Sequence, residues 1–308
     1  GQTYVVFWKS VASPENYELR VQLIDADGLR QFGDDGILFG NNLPMSTWTA
    51  IMSVTIDDLD NLYVGVTGTS SMAAYAYKID KTGNRLWGDE GILLGSGFMV
   101  NILPLETEEA IIVWNSDDVI LMQKYSAEGS AVWGENQTVT LPSGNTSPGN
   151  LFELSNGDYV MIMHAYNFGI SSLVYAQRYN ADGEQQWASA TQLADVYTVF
   201  NTEYTGAQDG DVIYFGYMGS HSNRFDSYLQ RLNPDGTLPW GINGVDFDVN
   251  QTNFEMDTRI AFAEGSEYVW SICKYSNTNQ SQFGEWVQKF DKETGTRKFT
   301  ENAKMVYN

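Results

Sequence analysis

One short segment recurs along the chain at nearly constant spacing, and it constrains the fold more than any other feature. Each copy has an alternating apolar stretch, a turn that ends in glycine and, four residues later, a tryptophan or phenylalanine. The turn glycines are Gly28, Gly83, Gly129, Gly183, Gly236 and Gly295. Their successive spacings of 55, 46, 54, 53 and 59 residues predict six copies of one supersecondary unit.

Each copy has the pattern of four antiparallel strands. The alternation before the glycine, as in residues 175–179, is typical of a third strand. Asp-Gly or an equivalent pair supplies the positive φ of a tight hairpin, and we expect the aromatic residue to begin the fourth strand. The first copy begins at Thr3 in its second strand, whereas the last copy runs to a fourth strand near Lys304–Tyr307.

The repeats therefore predict an all-β fold in one domain, residues 1–308. It is a six-bladed β-propeller of four-stranded antiparallel blades, with the first blade lacking one strand. Alternatively, the missing strand is supplied by sequence outside this chain. The predicted repeats are approximately residues 1–40, 41–96, 97–143, 144–195, 196–249 and 250–308.

Two turns resemble repeats of known propeller families. Residues 126–133, Ser-Ala-Glu-Gly-Ser-Ala-Val-Trp, resemble the Asp-box of sialidase-type propellers, and residues 291–299 resemble the quinoprotein-type repeat. Across its copies, the repeat is similar to that of uncharacterised secreted bacterial propellers with Trp-Gly repeats. These resemblances imply a fold rather than an activity, because the arginine triad of sialidases and the paired cysteines of quinoprotein dehydrogenases have no counterpart in this sequence.

The charge of the chain disfavours several classes of partner. Lysine and arginine number 17 against 39 aspartates and glutamates, a net charge of −22, which repels nucleic acid and anionic membranes. The sequence holds no apolar run of transmembrane length, so membrane insertion is not predicted. The single cysteine, Cys273, lies in an apolar run and is expected in the core. We expect an exported monomer, in the periplasm, at the cell surface or secreted.

A ligand-binding rim is predicted where the second strands end, because equivalent positions differ there from repeat to repeat. One position holds Lys9, Thr67, Asn115, His164, Tyr217 and Cys273. With the neighbouring positions and loops, the candidate residues are Trp8, Lys9, Trp48, Trp114, Asn115, Asp117, His164, Tyr166, Tyr217, His221, Arg224 and Tyr275. Asparagine amides beside aromatic faces suit sugar hydroxyls and also suit a peptide.

These patterns predict a non-catalytic module that presents a loop-rich face to a glycan or a protein. One alternative is a glycan hydrolase or lyase that uses the rim acids Asp117, Asp118 and Asp226. Another alternative is a structural scaffold within a larger surface protein. No cofactor is predicted, and no metal site, since His164 and His221 have no partner at metal-ligand spacing. The Asp-Ala-Asp-Gly segment at 25–28 is interpreted as a turn rather than a calcium loop.

Overall fold

A computed structural model describes residues 1–12, 16–39, 50–67, 73–142, 144–167, 171–198 and 205–307. In these ranges the chain forms strands and turns and no helix. The strands make six antiparallel sheets, numbered here in chain order. They divide into two compact units of three sheets each, Gly1–Thr140 and Leu141–Asn308. The prediction of an all-β chain of antiparallel sheets is confirmed.

The first unit contains sheets 1 to 3, in which every strand pairs with the next one in sequence. Sheet 1 contains β1 (Thr3–Ala12), β2 (Asn16–Ile24) and β3 (Ile37–Leu38). Sheet 2 contains β4 (Ala50–Ile56), β5 (Leu62–Thr67), β6 (Ala73–Ile79) and β7 (Ile92–Ser96). Sheet 3 contains β8 (Phe98–Pro104), β9 (Ala110–Ser116), β10 (Val119–Tyr125) and β11 (Gln137–Val139). Sheet 1 has three strands in the described ranges, and sheets 2 and 3 have four each.

The second unit contains sheets 4 to 6. Sheet 4 contains β12 (Asn145–Glu153), β13 (Tyr159–Asn167), β14 (Ser171–Tyr179) and β15 (Thr191–Gln192). Sheet 5 contains β16 (Tyr197–Thr198), β17 (Thr205–Asp209), β18 (Val212–His221), β19 (Arg224–Leu232) and β20 (Val245–Asp246). Sheet 6 contains β21 (Phe254–Ala261), β22 (Tyr268–Ser276), β23 (Phe283–Asp291) and β24 (Lys304–Tyr307). In sheet 5, β16 and β17 both pair with β18, one after the other along its edge.

Asx-type turns close the hairpins between third and fourth strands. In sheet 1 the Asp25 carboxylate accepts the backbone N–H groups of Asp27 and Leu29 at 3.0 and 2.8 Å. Gly28 follows at φ 80°, a conformation that costs glycine little. Hydrogen bonding to its own turn therefore accounts for the acid at Asp25. Among the described residues, no group of three His, Cys, Asp or Glu side chains is placed to hold a metal ion.

The repeat aromatic does not begin the fourth strand, and that expectation is wrong. Trp87 lies in a turn, and the fourth strand of its sheet begins later, at Ile92. The indole Nε1 of Trp87 donates to the carbonyl of Ala127 in the turn of the next sheet, at 3.1 Å. Trp187 and Trp240 make the equivalent bonds to Pro234 and Glu293 at 3.2 Å each. The aromatic leaves the ladder because it docks on the neighbouring sheet.

A buried glutamine fixes the backbone around this aromatic. The Gln22 amide oxygen accepts from the N–H groups of Leu23 and Phe32, at 3.1 and 2.8 Å, and its nitrogen donates to the Gly33 carbonyl at 2.7 Å. Gln123, Gln177, Gln230 and Gln288 occupy the same place in sheets 3 to 6 and bond similarly. The side chain thus satisfies backbone groups that leave the ladder where the aromatic departs.

Apolar side chains fill the space between successive sheets within each unit. Sheets 1 and 2 meet at a cluster that includes Leu19, Val21, Val64 and Tyr77. Sheets 2 and 3, sheets 4 and 5, and sheets 5 and 6 meet at comparable clusters. Cys273 lies in the last of these, fully buried.

Candidate functional site

Half of the twelve predicted binding residues lie in the core. Six of them are at most 5% exposed: Trp114, Asn115, His164, Tyr166, Tyr217 and Tyr275. Trp8 packs against the cluster between sheets 1 and 2, and Lys9 forms an ion pair with Asp35 at 2.8 Å. Trp48 lies outside the described residues. Ligand contact by the six buried side chains stays a prediction, and in this structure solvent barely reaches them.

His164 is a buried hydrogen-bonding group. Its Nδ1 lies 3.2 Å from the Ser172 hydroxyl, which lies 3.2 Å from the hydroxyl of Thr198. Burial lowers the pKa of His164 to about 3. The imidazole is therefore neutral near pH 7, and it links two strands of sheet 4 to the first strand of sheet 5.

Asp117 and Asp118 form the two-residue turn between β9 and β10. Their φ angles are 50° and 66°, as a type I′ hairpin requires of both central residues. Aspartate tolerates this left-handed conformation better than most residues. Both side chains are exposed, so a turn accounts for this pair of acids.

A second hairpin of the same kind joins β18 and β19. Ser222 and Asn223 have φ angles of 51° and 63°, and His221 lies opposite Arg224. The Arg224 Nε donates to the Asp226 carboxylate at 2.6 Å, and an Nη donates to the Asn250 carbonyl. Arg224 thereby joins this hairpin to the segment that leads into sheet 6.

Three buried carboxylates lie beneath the hairpin. Asp226 on β19, Asp248 after β20 and Glu255 on β21 are 6%, 2% and 0% exposed. The half-buried Asp246, at the end of β20, adjoins them. The sequence drew attention to Asp226 but not to Asp248 or Glu255. An acid in the apolar stretch Phe254-Glu255-Met256 was the signal that could have indicated this cluster.

Asp248 is the centre of the hydrogen-bond network. Its carboxylate accepts the N–H groups of Asn250, at 2.6 Å, and of Ala303, at 3.0 Å. The Tyr275 hydroxyl donates to the same carboxylate. Tyr275 pairs with Glu255 across β21 and β22. Through Tyr275, Asp248 connects the segment between β20 and β21 to the first strands of sheet 6. Through Ala303, it connects the same segment to the residues just before the last strand of that sheet.

Burial and mutual repulsion raise the pKa values of Glu255, Asp246 and Asp226. Burial, followed by the charge of Asp248, raises the pKa of Glu255 to about 9, although the Ser227 N–H at 3.1 Å opposes the shift. Burial raises the pKa of Asp246 to about 6 against the attraction of Arg297. Burial also raises the pKa of Asp226, with Arg224 opposing it. Glu255 is therefore protonated at pH 7, and the cluster does not need one cation for each of its buried acids.

Exposed polar loops lie above this cluster. In the β22–β23 loop the Asn277 side chain accepts the N–H groups of Ser281 and Gln282, at 2.8 and 3.2 Å. Phe283 ends the loop and is 48% exposed. We call residues 221–223, 249–253 and 277–283 the loop edge of the second unit. Phe225 and Phe254 pack edge to face at 5.3 Å and join its first two segments.

Sequence comparison and structural comparison give different results for this chain. No protein-family model matches it, and no curated protein matches it. The D477G ACO/RPE65 chimera has a TM-score of 0.54 at 10% identity, covering 94% of this chain and 67% of the chimera. Drosophila plexin A, in complex with semaphorin 1b, has a TM-score of 0.51 at 8% identity, covering 99% and 79%. An endo-1,4-beta-xylanase from Bacteroides thetaiotaomicron has a TM-score of 0.44 at 13% identity, covering 85% and 97%.

At these identities a structural likeness shows the fold alone, and that fold is an all-β, propeller-like one. No helix in the described ranges could cross a membrane.

Proposed function

We propose that the six sheets are the blades of one exported, monomeric β-propeller and that this propeller is a glycan-binding module. The ligand would contact the loop edge of the second unit. The observation that carries the proposal is the Asp248 network, because it fixes the connecting segment at Asn250 against Tyr275 and Ala303. A binding surface that is already ordered loses less conformational entropy when a ligand binds.

The chemistry of the loop edge favours a glycan with no net negative charge. Its exposed groups are amides, hydroxyls, an imidazole and the ring of Phe283, which together suit sugar hydroxyls and the C–H face of a sugar ring. The net charge of −22 repels anionic ligands.

A glycan array probed with the purified chain tests this proposal. The site variant is His221→Ala with Phe283→Ala, since both side chains are exposed and their loss leaves the core intact. The control variant is Asp117→Asn with Asp118→Asn, which changes an equivalent hairpin tip in the other unit. We expect selective binding to be lost in the site variant and kept in the control. Binding that survives in the site variant would contradict the assignment of the loop edge as the binding surface. A wild-type chain that captures a protein but no glycan would show that the ligand is a protein.

Glycan hydrolysis is a second candidate, favoured by one observation. The pKa of Glu255 is raised to about 9 and that of the neighbouring Asp246 only to about 6, and such a separation is seen in acid–base pairs. It ranks second because Glu255 is 0% exposed, so a substrate does not reach it in this conformation. Release of nitrophenol from aryl glycosides by the wild type, abolished by Glu255→Gln, would establish this activity.

The six-bladed ring itself is tested by small-angle X-ray scattering. A compact chain of 308 residues is expected to have a radius of gyration of about 19 Å. A clearly larger value would indicate two separate units instead of one closed propeller.

A further inference from the structure

An arginine two residues after the turn glycine recurs in sheets 1, 2 and 6, and an acid follows it four residues later. In sheet 1, Arg30 forms an ion pair with Asp34 at 2.9 Å. In sheet 2, Arg85 forms an ion pair with Asp89 at 3.1 Å. In both sheets the cation is therefore neutralised by the acid that follows it.

Sheet 6 has the same two groups but not the ion pair. Arg297 occupies the position of Arg85, and Glu301 occupies that of Asp89. Arg297 forms no ion pair with any described residue, and Glu301 is exposed. Sheet 6 therefore keeps apart a cation and an acid that sheets 1 and 2 join.

The residue before Glu301 has a strained backbone. Thr300 has a φ of 81°, and the equivalent residues Gly33 and Gly88 have φ angles of 71° and 84°. Glycine adopts this left-handed conformation at little cost, whereas it is an outlier for a β-branched residue. Such strained residues cluster at ligand sites. A glycine would suit this turn better, so the threonine side chain indicates a use beyond folding.

Arg297, Thr300 and Glu301 line one open cavity. It has a volume of about 540 Å³, in the ordinary range for small-molecule sites, and lies between β20 of sheet 5 and residues 294–301 of sheet 6. Its other walls include Val245, Asp246 and Thr296. The backbone N–H of Val249 donates to the Glu301 carbonyl at 3.2 Å, so the cavity adjoins the loop edge.

The Arg297 guanidinium offers this cavity one nitrogen. Its Nε and Nη2 donate to the Asp246 carbonyl at 3.0 and 2.7 Å, and Nη2 also donates to the Asp248 carbonyl at 3.3 Å. Nη1 has no acceptor among the described residues, and solvent reaches it. Because bidentate binding of a carboxylate or phosphate needs two free nitrogens, Arg297 can offer such an anion only a single contact.

The free groups of the cavity select the chemical class of the ligand. An anion lacks the bidentate contact and is repelled by the carboxylates of Asp246 and Glu301. A cation would pair with these acids but would leave the Arg297 Nη1 without an acceptor. A sugar hydroxyl both accepts and donates, so two hydroxyls of one ring match the cation and the acid together.

We propose that this cavity binds one neutral sugar residue, which bridges Arg297 and Glu301 where sheets 1 and 2 have an ion pair. One hydroxyl accepts from the Arg297 Nη1, and another donates to the Glu301 carboxylate. The Thr300 hydroxyl bonds a third, and Val245 supplies an apolar contact for the ring. The site rests on the proposed function, because it would hold one residue of the glycan that contacts the neighbouring loop edge.

The decisive variant is Thr300→Gly with Glu301→Asp. It restores the Gly-Asp sequence of residues 88–89 and gives Arg297 an acid like the one that pairs with Arg85. Thr300→Ser is the matched control, since it keeps the hydroxyl, and Glu301→Gln removes only the charge. The probes are the methyl glycosides of glucose, galactose, mannose and xylose, and binding is measured by saturation-transfer-difference NMR and calorimetry.

We expect wild type and Thr300→Ser to bind at least one glycoside. Thr300→Gly with Glu301→Asp, and Glu301→Gln alone, should bind it roughly 10- to 100-fold more weakly, as expected for loss of a hydrogen bond to a charged group. Relief of the strained φ should raise the melting temperature of Thr300→Gly with Glu301→Asp by about 1–3 °C. This rise would separate loss of binding from loss of structure.

The loop-edge variant, His221→Ala with Phe283→Ala, distinguishes failure of this site from failure of the proposed function. It should keep glycoside binding, because neither side chain lines the cavity. Glycoside binding in the absence of any glycan-array signal would support the cavity and contradict the loop edge. An array signal that is lost in the loop-edge variant, from a chain that binds no glycoside, would support the loop edge and contradict the cavity.

Three results would overturn the proposal. The first is a wild-type chain that binds none of the four glycosides at tens of millimolar. The second is Thr300→Gly with Glu301→Asp binding as tightly as wild type. The third is tighter binding of inorganic phosphate or of methylammonium than of any glycoside, which would make the cavity an ion site.

Discussion

The indole ring of Trp187 lies against the α-carbon of Gly236 in the next sheet, so closely that a Cβ there would come within 3.1 Å of two ring atoms. The same contact joins Trp87 to Gly129 and Trp240 to Gly295. The turn glycine therefore serves two needs, a positive φ and the close approach of a neighbouring ring.

Replacing Gly236 with alanine should destabilise the protein for two reasons. Alanine disfavours the positive φ, and its Cβ would be too close to the Trp187 ring. Gly241 is the control, because its φ of 77° resembles the 86° of Gly236 while nothing lies within 4 Å of its hypothetical Cβ. We expect Gly241→Ala to cost about 1 kcal/mol of unfolding free energy and Gly236→Ala about 1–3 kcal/mol more. Urea denaturation measures both, and equal losses would show that the ring contact contributes nothing.

Replacing Gln230 with leucine should be strongly destabilising. The side chain is fully buried, accepts from the Arg231 N–H at 2.9 Å and donates to the carbonyls of Leu193 and Gly241 at 2.9 and 3.0 Å. Leucine of similar size leaves these groups unsatisfied, at a cost of about 2–4 kcal/mol. Gln282→Leu, at an exposed position, should change stability by less than about 0.5 kcal/mol. A small loss in Gln230→Leu would mean that water replaces the amide.

Glu255 should make stability fall as pH rises. Its pKa is raised from 4.5 to about 9, so its protonated form is favoured by folding. The contribution of this group is fully present below pH 4.5 and is lost as the pH approaches 9. Glu255→Gln, neutral at every pH, should flatten this part of the melting-temperature profile and stabilise the protein at pH 8 by a few kcal/mol. Parallel profiles for the two proteins would contradict the shift.

Because of His164, the stability of the protein should fall as the pH is lowered, which is opposite to the effect of Glu255. Its pKa is lowered from 6.5 to about 3, so the folded state keeps the imidazole neutral while the unfolded chain takes up a proton. Its contribution is fully present above pH 6.5 and is lost as the pH falls toward 3. The imidazole proton NMR signal of His164, assigned with a His221→Asn variant, should not titrate between pH 5 and 8. A midpoint near 6 would show that water reaches the ring.

The local part of the fold could be predicted from the sequence, and the docking between sheets could not. Turn glycines such as Gly28 and Gly183 adopt the predicted positive φ, because the Asx turn is encoded within a few residues. The place of Trp87 was mispredicted because its partner, the turn at Ala127, lies 40 residues away. A period-two pattern cannot indicate that a residue leaves its own strand for such a contact.

In the candidate site too, local features could be predicted from the sequence and contacts between distant segments could not. Variation between repeats at Trp114 and His164 suggested a ligand surface, yet each interface between sheets packs differently, which produces the same variation in a core. The cluster of Asp226, Asp248 and Glu255 assembles from three segments, and no one of them carries a motif. His221 and Arg224 were expected within a loop, and they instead end β18 and begin β19 on either side of a two-residue turn.

The contact between tryptophan and glycine has a direction. Within each unit the ring comes from the earlier sheet and the turn that receives it from the later one. Loss of an indole therefore weakens the turn that follows it in the chain and spares the turn that precedes it. The stability of each sheet therefore depends on which sheet precedes it in the chain. The sheets are similar in form but cannot exchange positions.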